Sequence, residues 1–169
     1  MTRVPLFLND LFRQLHFDQH VVETLTPGDY LERHPTSQTA TPAQSSWGQN
    51  GYAEYWCNET NAWTYRHVHV AAERMVALAR RKPAAEGIER RALNQAAREL
   101  LLAQASDWTF IMSTGTTVPY ATRRFNEHVV RFTRLYEALE SGRIDEAYLS
   151  ELEGKDNIVP DVDYRVYAT

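Results

Sequence analysis

Apolar positions recur along most of this chain at steps of three and four, the period of an amphipathic helix rather than the alternation of a strand. Over 5–19, Leu8, Leu11, Phe12 and Leu15 form one such stripe. Residues 21–25 are β-rich but short, and read as an extended connection. Thr26-Pro27-Gly28-Asp29 then has the form of a helix start, with Thr as N-cap, Pro at the first position and an acid three residues after the cap. That helix is short, to about His34, and Pro35 ends it. The segment 36–51 has no period of either kind. It is Ser, Thr, Gln, Pro, Gly and Asn almost throughout, with the single large apolar residue Trp47. Loops of this length are uncommon inside a domain and tend to be functional or disordered. The aromatics that follow, Tyr52, Tyr55, Trp56 and Trp63, point to an ordered one.

Three longer periodic segments come next. Over 61–81, Val68, Ala71, Ala72, Met75 and Ala79 share a face, and 83–87 is a break. Over 88–104 the apolar residues are Leu93, Ala96, Ala97, Leu100 and Leu101. The longest segment opens at Val118-Pro119 and runs to Ser141, with the stripe Val118, Thr122, Phe125, Val129, Phe132, Tyr136, Leu139. Gly142 is its natural stop. A last short helix spans 145–153 and is closed by Gly154. The tail over 157–167 carries Ile158, Val162, Tyr164, Val166 and Tyr167, and is expected to be pinned back in extended form. No internal repeat or domain boundary is visible. The fold class predicted is all-α: a single helical domain over 1–169, a bundle with a long ordered polar loop and an extended C-terminal tail.

Composition narrows the function. Of 169 residues, 43% are hydrophobic and 24% charged, which is globular rather than disordered. A net charge of −4 argues against a nucleic-acid partner. No apolar run approaches the ~20 residues needed to span a bilayer, so no membrane partner is expected. The single cysteine excludes an internal disulfide. The chain reads as a soluble protein of a reducing compartment, the cytoplasm.

Familiar catalytic signatures are missing: there is no glycine-rich phosphate loop, no GxSxG and no HExxH. His67 and His69 lie two apart, which on a helix turns their rings ~200° from each other, so they cannot share a metal. Neither a metal nor a cofactor is expected. Cys57 has no histidine partner nearby and reads as a buried, inert thiol. Asp107 is the most interesting carboxylate. If the helix from Ile88 continues, Leu93, Ala96, Leu100, Ala103 and Asp107 fall on one line, where a carboxylate needs a partner, a ligand or water. Capping or pairing with an arginine is the plainer reading. Trp108 extends the adjacent line and reads as core. Trp47 and Trp56 stand among hydroxyls and amides, separated by Gly48 and Gly51. Their flat apolar faces suit a sugar ring, or serve only to pin the loop.

Longer runs of residues carry a resemblance. Ala40-Thr41-Pro42-Ala43-Gln44-Ser45-Ser46-Trp47-Gly48, Asn58-Glu59-Thr60-Asn61-Ala62-Trp63, Tyr65-Arg66-His67 and Glu73-Arg74-Met75 are similar to the C-terminal region of 1,4-α-glucan branching enzymes of glycoside hydrolase family 57. So are Arg91-Ala92-Leu93-Asn94-Gln95-Ala96-Ala97-Arg98-Glu99-Leu100-Leu101-Leu102-Ala103-Gln104-Ala105-Ser106-Asp107-Trp108 and the closing Asp161-Val162-Asp163-Tyr164-Arg165-Val166-Tyr167. The resemblance covers nearly the whole chain from about Pro5.

It implies a larger enzyme, in which an N-terminal barrel carries a glutamate nucleophile and an aspartate acid/base ahead of a helical C-terminal domain. Such enzymes cleave an α-1,4 linkage with retention and transfer the glucan to a 6-hydroxyl, with no cofactor. Retaining chemistry needs two carboxylates ~5 Å apart, and the motifs that supply them have no match here. No catalytic residue is therefore assigned, and the chain is not expected to branch glucan alone. The barrel would be supplied in cis or in trans. The resemblance implies α-glucan as ligand and places Trp47, Trp56 and Asp107 as substrate-binding residues, Asp107 holding sugar hydroxyls rather than moving a proton. Two alternatives are the same domain of a 4-α-glucanotransferase, against which the Arg91–Trp108 run counts, and a non-catalytic interaction module that kept the fold. The presence of both tryptophans counts against the second.

Overall fold

The N-terminal stripe forms α1 (Arg3–His16), shorter than its period suggests. Gln19 ends it: its side-chain amide donates to the carbonyls of Leu15 and Val22 at 2.8 and 2.7 Å and accepts from the N–H groups of Val21 and Val22. One side chain thus satisfies the orphaned backbone groups of a helix end and the turn after it. The next helix, α2 (Pro27–Arg33), begins as read, with a capping box in which Thr26 Oγ1 accepts from Asp29 N–H at 3.2 Å and Asp29 accepts from Thr26 N–H at 3.3 Å. The computed structural model describes residues 3–168 and divides into two compact units, Met1–Gln44, holding α1 and α2, and Ser45–Thr169.

The second unit is a bundle of α3 (Trp63–Arg81), α4 (Gly87–Ala103), α5 (Ser106–Thr114), α6 (Val118–Ser141) and α7 (Glu146–Lys155). No strand occurs among the described residues. At its centre lies α4, buried on most of its circumference: Ala92, Leu93, Ala96, Ala97 and Leu100 have no exposed surface. Small alanines on α4 let the aromatic face of α6 approach closely. Leu101, expected on that face, is 37% exposed instead. On α6 the buried line is Ala121, Phe125, His128, Phe132, Leu135 and Leu139. The sequence stripe named Phe125, Phe132 and Leu139 correctly, but Thr122, Val129 and Tyr136 lie half-buried on its flank. The line follows the partner helix, not the most apolar residue at each step. Gly142 closes α6 in the left-handed conformation, φ 67°.

Two further differences matter. The helix from Gly87 stops at Ala103, and a separate nine-residue α5 follows, capped by Gly115 at φ 76°. The tail is pinned, as expected, but does not stay extended. It closes in a 3-10 turn at Tyr164–Ala168, where buried Tyr164 takes its N–H to Asn94 Oδ1 at 3.0 Å and its hydroxyl to the Lys82 carbonyl. Arg98 of α4 holds the preceding residues through the carbonyls of Ile158 and Pro160 at 3.1 Å each.

A buried polar chain runs through the core between α4 and α6. Arg98 donates to Gln95 Oε1 at 3.0 Å, and Gln95 Nε2 donates to Glu99 Oε1 at 3.0 Å. Glu99 Oε2 lies 2.7 Å from His128 Nδ1, and Arg124 lies 3.0 Å from His128 Nε2. A guanidinium can only donate, so Nε2 is the acceptor and Nδ1 carries the proton that Glu99 accepts. Asp156 lies beside them and takes Arg131 at 2.8 Å. No buried side-chain nitrogen or oxygen among the described residues lacks a partner. Burial pushes the Glu99 carboxyl above its usual range, with Asp156 adding to the rise and the His128 and Gln95 donors opposing it.

Removing the buried ring in Phe132→Ala should cost ~3–5 kcal/mol; a denaturant melt showing a loss below about 1 kcal/mol would mean that the α4–α6 packing is misdescribed. Native Glu99 holds its proton more tightly than the unfolded chain does. Its contribution to stability is therefore full below the ordinary value of 4.5 and is lost as pH rises through the raised folded value. Unfolding free energies measured from about pH 4 to 8 should show Glu99→Gln gaining on the wild type as pH rises. A pH-independent difference would show that Glu99 titrates alike in both states.

Candidate functional site

The second half of the polar loop, from Ser45 to α3, is built by its own hydrogen bonds. The Ser46 N–H donates to the Gly51 carbonyl, Gly48 N–H to Ser46 Oγ at 3.1 Å and Gly51 N–H to the Gly48 carbonyl at 3.0 Å. Gly48 is buried, and its requirement is space rather than backbone conformation, since its φ is −67°. A Cβ there would stand 2.9 Å from Trp56 Cζ3 and nearer still to the Tyr52 carbonyl oxygen.

Two asparagines fasten this loop to α5. Asn61, fully buried, accepts from Asn58 N–H at 2.8 Å and donates to the carbonyls of Tyr55 and Thr109 at 3.0 Å each. Asn58 donates to Ser113 Oγ at 2.8 Å. The consequence is a cluster of four rings. Phe110 of α5 has its centroid 5.4 Å from Tyr55, 5.7 Å from Trp47 and 6.0 Å from Trp56, and the two indoles are 6.3 Å apart. These are ordinary aromatic contact distances. Trp56 is also fixed from behind by Tyr65, whose hydroxyl donates to its carbonyl at 2.7 Å. Trp56, Tyr55 and Phe110 are half-buried, while Trp47 is 79% exposed.

Asp107 lies in the first turn of α5, not at the end of α4. It is exposed, and it makes no hydrogen bond or ion pair among the described residues, so the pairing with an arginine is not found. Phe110 is three residues on, which puts the two on one side of α5. Trp108 turns the other way: half-buried, it donates from Nε1 to the Leu102 carbonyl at 2.7 Å and stacks on His128 at 6.4 Å. Beside Trp56, between the start of α3 and the α4–α5 junction, opens a cleft of about 420 Å³ floored by Phe125.

The remaining candidates fall apart. His67 packs on Trp63 and Phe125, and His69 on Tyr65. Cys57, expected to be buried, is exposed. The loop that carries it has only Gly48 and Asn61 in the interior, so no apolar pocket forms around the thiol. Glu99, His128 and Asp156 could each offer a ligand atom to a cation within 4.8 Å of one another. Arg124 and Arg131 already occupy His128 and Asp156, so a cation would first have to displace two guanidiniums. Phe110 was not singled out from sequence, and Tyr55 was named only among the aromatics that point to an ordered loop. The available signal was the second aromatic position in Trp108-Thr109-Phe110-Ile111, part of a short helix with apolar residues on every side.

The family described as 1,4-alpha-glucan branching enzyme, C-terminal, matches residues 67–167, which include Asp107 and Phe110. The chain belongs to this family. Its second unit thus carries a branching-enzyme C-terminal fold, and relatives extend the likeness. It is similar to the 1,4-alpha-glucan branching enzyme TK1436 of Thermococcus kodakarensis, 38% identical over 144 residues, 82% of this chain and 21% of that protein. Among solved structures it is similar to TK1436 in complex with glucose and additives, at 35% identity and TM-score 0.79 over 88% of this chain and 28% of that one. The GH57-type branching enzyme of Pyrococcus horikoshii gives 36% identity and TM-score 0.77 over 88% and 29%. The alpha-amylase AmyC of Thermotoga maritima gives 40% identity and TM-score 0.73 over 98% and 30%. The chain therefore spans less than a third of the length of these relatives. No helix among the described residues is long and apolar enough to cross a membrane.

The Gly48–Trp56 contact is testable within the branching-enzyme fold. Gly48→Ala should reshape the near-ultraviolet circular dichroism of the ring cluster and lower the melting temperature, because the new Cβ meets backbone as well as the indole. An unchanged aromatic spectrum would mean that the loop does not depend on that close approach.

Proposed function

We propose that this chain is the glucan-contacting helical C-terminal domain, taken over 1–169, of a cytoplasmic 1,4-α-glucan branching enzyme, working with a catalytic barrel that supplies both reacting carboxylates. One observation carries the reading. Trp47 leaves most of its indole in water although two other rings, Trp56 and Phe110, fix its position. A fixed, exposed aromatic face is costly to leave uncovered and needs no reorganisation to receive a flat apolar ligand surface. The less polar face of a glucose ring is such a surface. Covering ~80–100 Å² of it contributes roughly 2 kcal/mol before ordering costs.

Asp107 supplies what stacking cannot. Its carboxylate oxygens have no partner among the described residues, so they can accept from sugar hydroxyls on the side of α5 that bears Phe110. Trp56 supports Trp47 and adds its own edge to the surface. The family match and the glucose in the TK1436 structure support the same ligand class. In the whole enzyme these contacts would hold the glucan while two carboxylates ~5 Å apart, outside this chain, break the α-1,4 bond through a glycosyl-enzyme intermediate and pass the segment to a 6-hydroxyl.

Maltooligosaccharides should quench or shift the indole fluorescence of the chain at millimolar concentration, about −4 kcal/mol of binding. Trp47→Ala should remove the part of that response that comes from its own indole and leave the melt unchanged. Trp108→Ala should lower the melt through a lost core contact. If Trp47→Ala destabilises the fold as Trp108→Ala does, and no sugar perturbs the wild-type spectrum, Trp47 is a pin and the glucan contact is wrong.

A further inference from the structure

The cleft beside Trp56 differs chemically from the rest of the molecule. Charged residues make up 24% of the chain, yet no Asp, Glu, Lys or Arg lines this cleft. Its floor is closed by Phe125, only 1% exposed, and one wall is the pair Trp56 and Tyr65. Tyr65 brings no charge either, since burial pushes its phenol up and the neighbouring Cys57 adds to the rise. At the rim stand His69, Gln104 and Ser106, all exposed. None of the three side chains makes a hydrogen bond within the described residues, in a unit whose buried polar atoms are all satisfied.

An apolar floor, an aromatic wall and a rim of His69, Gln104 and Ser106 without partners among the described residues select a particular ligand chemistry. A phosphorylated or carboxylated molecule would find no Lys or Arg here to pair with its charge. A purely apolar one would strip water from His69, Gln104 and Ser106 without replacing it. A neutral molecule with one apolar face and several hydroxyls meets both demands. The volume of about 420 Å³ lies at the small end of ligand pockets, enough for a short saccharide. The indole that forms the wall also touches Trp47 and Phe110.

We propose that this cleft is a second saccharide site, taking a glucosyl or maltosyl unit against Trp56 with hydrogen bonds from His69, Gln104 and Ser106. The proposal rests on the glucan reading of the Trp47 surface but uses different side chains. It makes Trp56 a partition with a sugar contact on each side, so that two chain segments, or two parts of one, are held a single indole apart.

Maltose titrated into the isotope-labelled full chain should move the NMR signals of the His69 ring and the Gln104 side-chain amide as well as the Trp47 indole N–H. In Trp47→Ala the His69 and Gln104 shifts should persist with an affinity within about twofold of wild type. In the triple variant His69→Ala, Gln104→Ala, Ser106→Ala, binding read at the Trp56 indole N–H in the Trp47→Ala background should weaken about tenfold or more. The Trp47 response should survive in that triple variant with Trp47 restored, and a thermal melt checks that each variant folds. Shifts confined to Trp47 would overturn the cleft and leave the glucan surface standing. Shifts confined to His69 and Gln104 would support the cleft and overturn the Trp47 surface. Silence at all of them would overturn both.

Discussion

The hydrogen bond between Glu99 and His128 is the contact on which the second unit turns. Both side chains are fully buried, one on α4 and one on α6, and they meet at 2.7 Å across the most extensively packed helix pair of the bundle. Burying a carboxylate is unfavourable unless every lone pair is used. Here Gln95 and His128 use Glu99, and Arg124 uses the far side of His128. The apolar residues on α4 and α6 supply the driving force for packing but would tolerate small slips along the helix axes. A chain of directional bonds does not.

That fixed register reaches the surface by one short route. Trp108 stacks on the His128 ring and donates to Leu102 at the end of α4, which sets the rotation of α5. Once Trp108 faces inward, Phe110 and Asp107 must face elsewhere, because a helix separates successive residues by about 100°. Phe110 then becomes the hub around which Tyr55, Trp47 and Trp56 gather. The loop has too little apolar surface to fold alone. It is held by Asn61 and Asn58, which trade its backbone and α5 groups for their own amides. The exposure of Trp47 therefore follows from a rigid support rather than from a loose loop.

The two sides of Trp56 illustrate how one support serves different chemistry. Toward Trp47 it presents an edge in a cluster open to water. Toward Tyr65 it walls a cleft lined by no Asp, Glu, Lys or Arg. Gly48 is small because this indole leaves no room beside it, so the loop path and the placement of Trp56 are one constraint.

Much of this was legible in the sequence. Helices α3, α4 and α6 follow from long apolar periods, α2 from Thr26 and Asp29 as a capping box, and the end of α6 from Gly142, because each rests on neighbours a turn apart. The family was legible from the Arg91–Trp108 run. What only the tertiary structure decided depends on partners far away in the chain. Helix α5 is too short to show a period, and apolar on every side, so its existence and the direction of Asp107 were set by where α4 had to end. His128 lies on the same line as Phe125 and Phe132, but nothing in its own segment marks it as buried until Glu99, 29 positions away, meets it. Cys57 looked buried because a lone thiol usually is, and the loop placed it outside. Phe110 and Trp47 are 63 positions apart, and no local pattern in either segment encodes that contact. Local period fixes elements; the pairing of buried charges and rings across the bundle fixes which face each element turns to water.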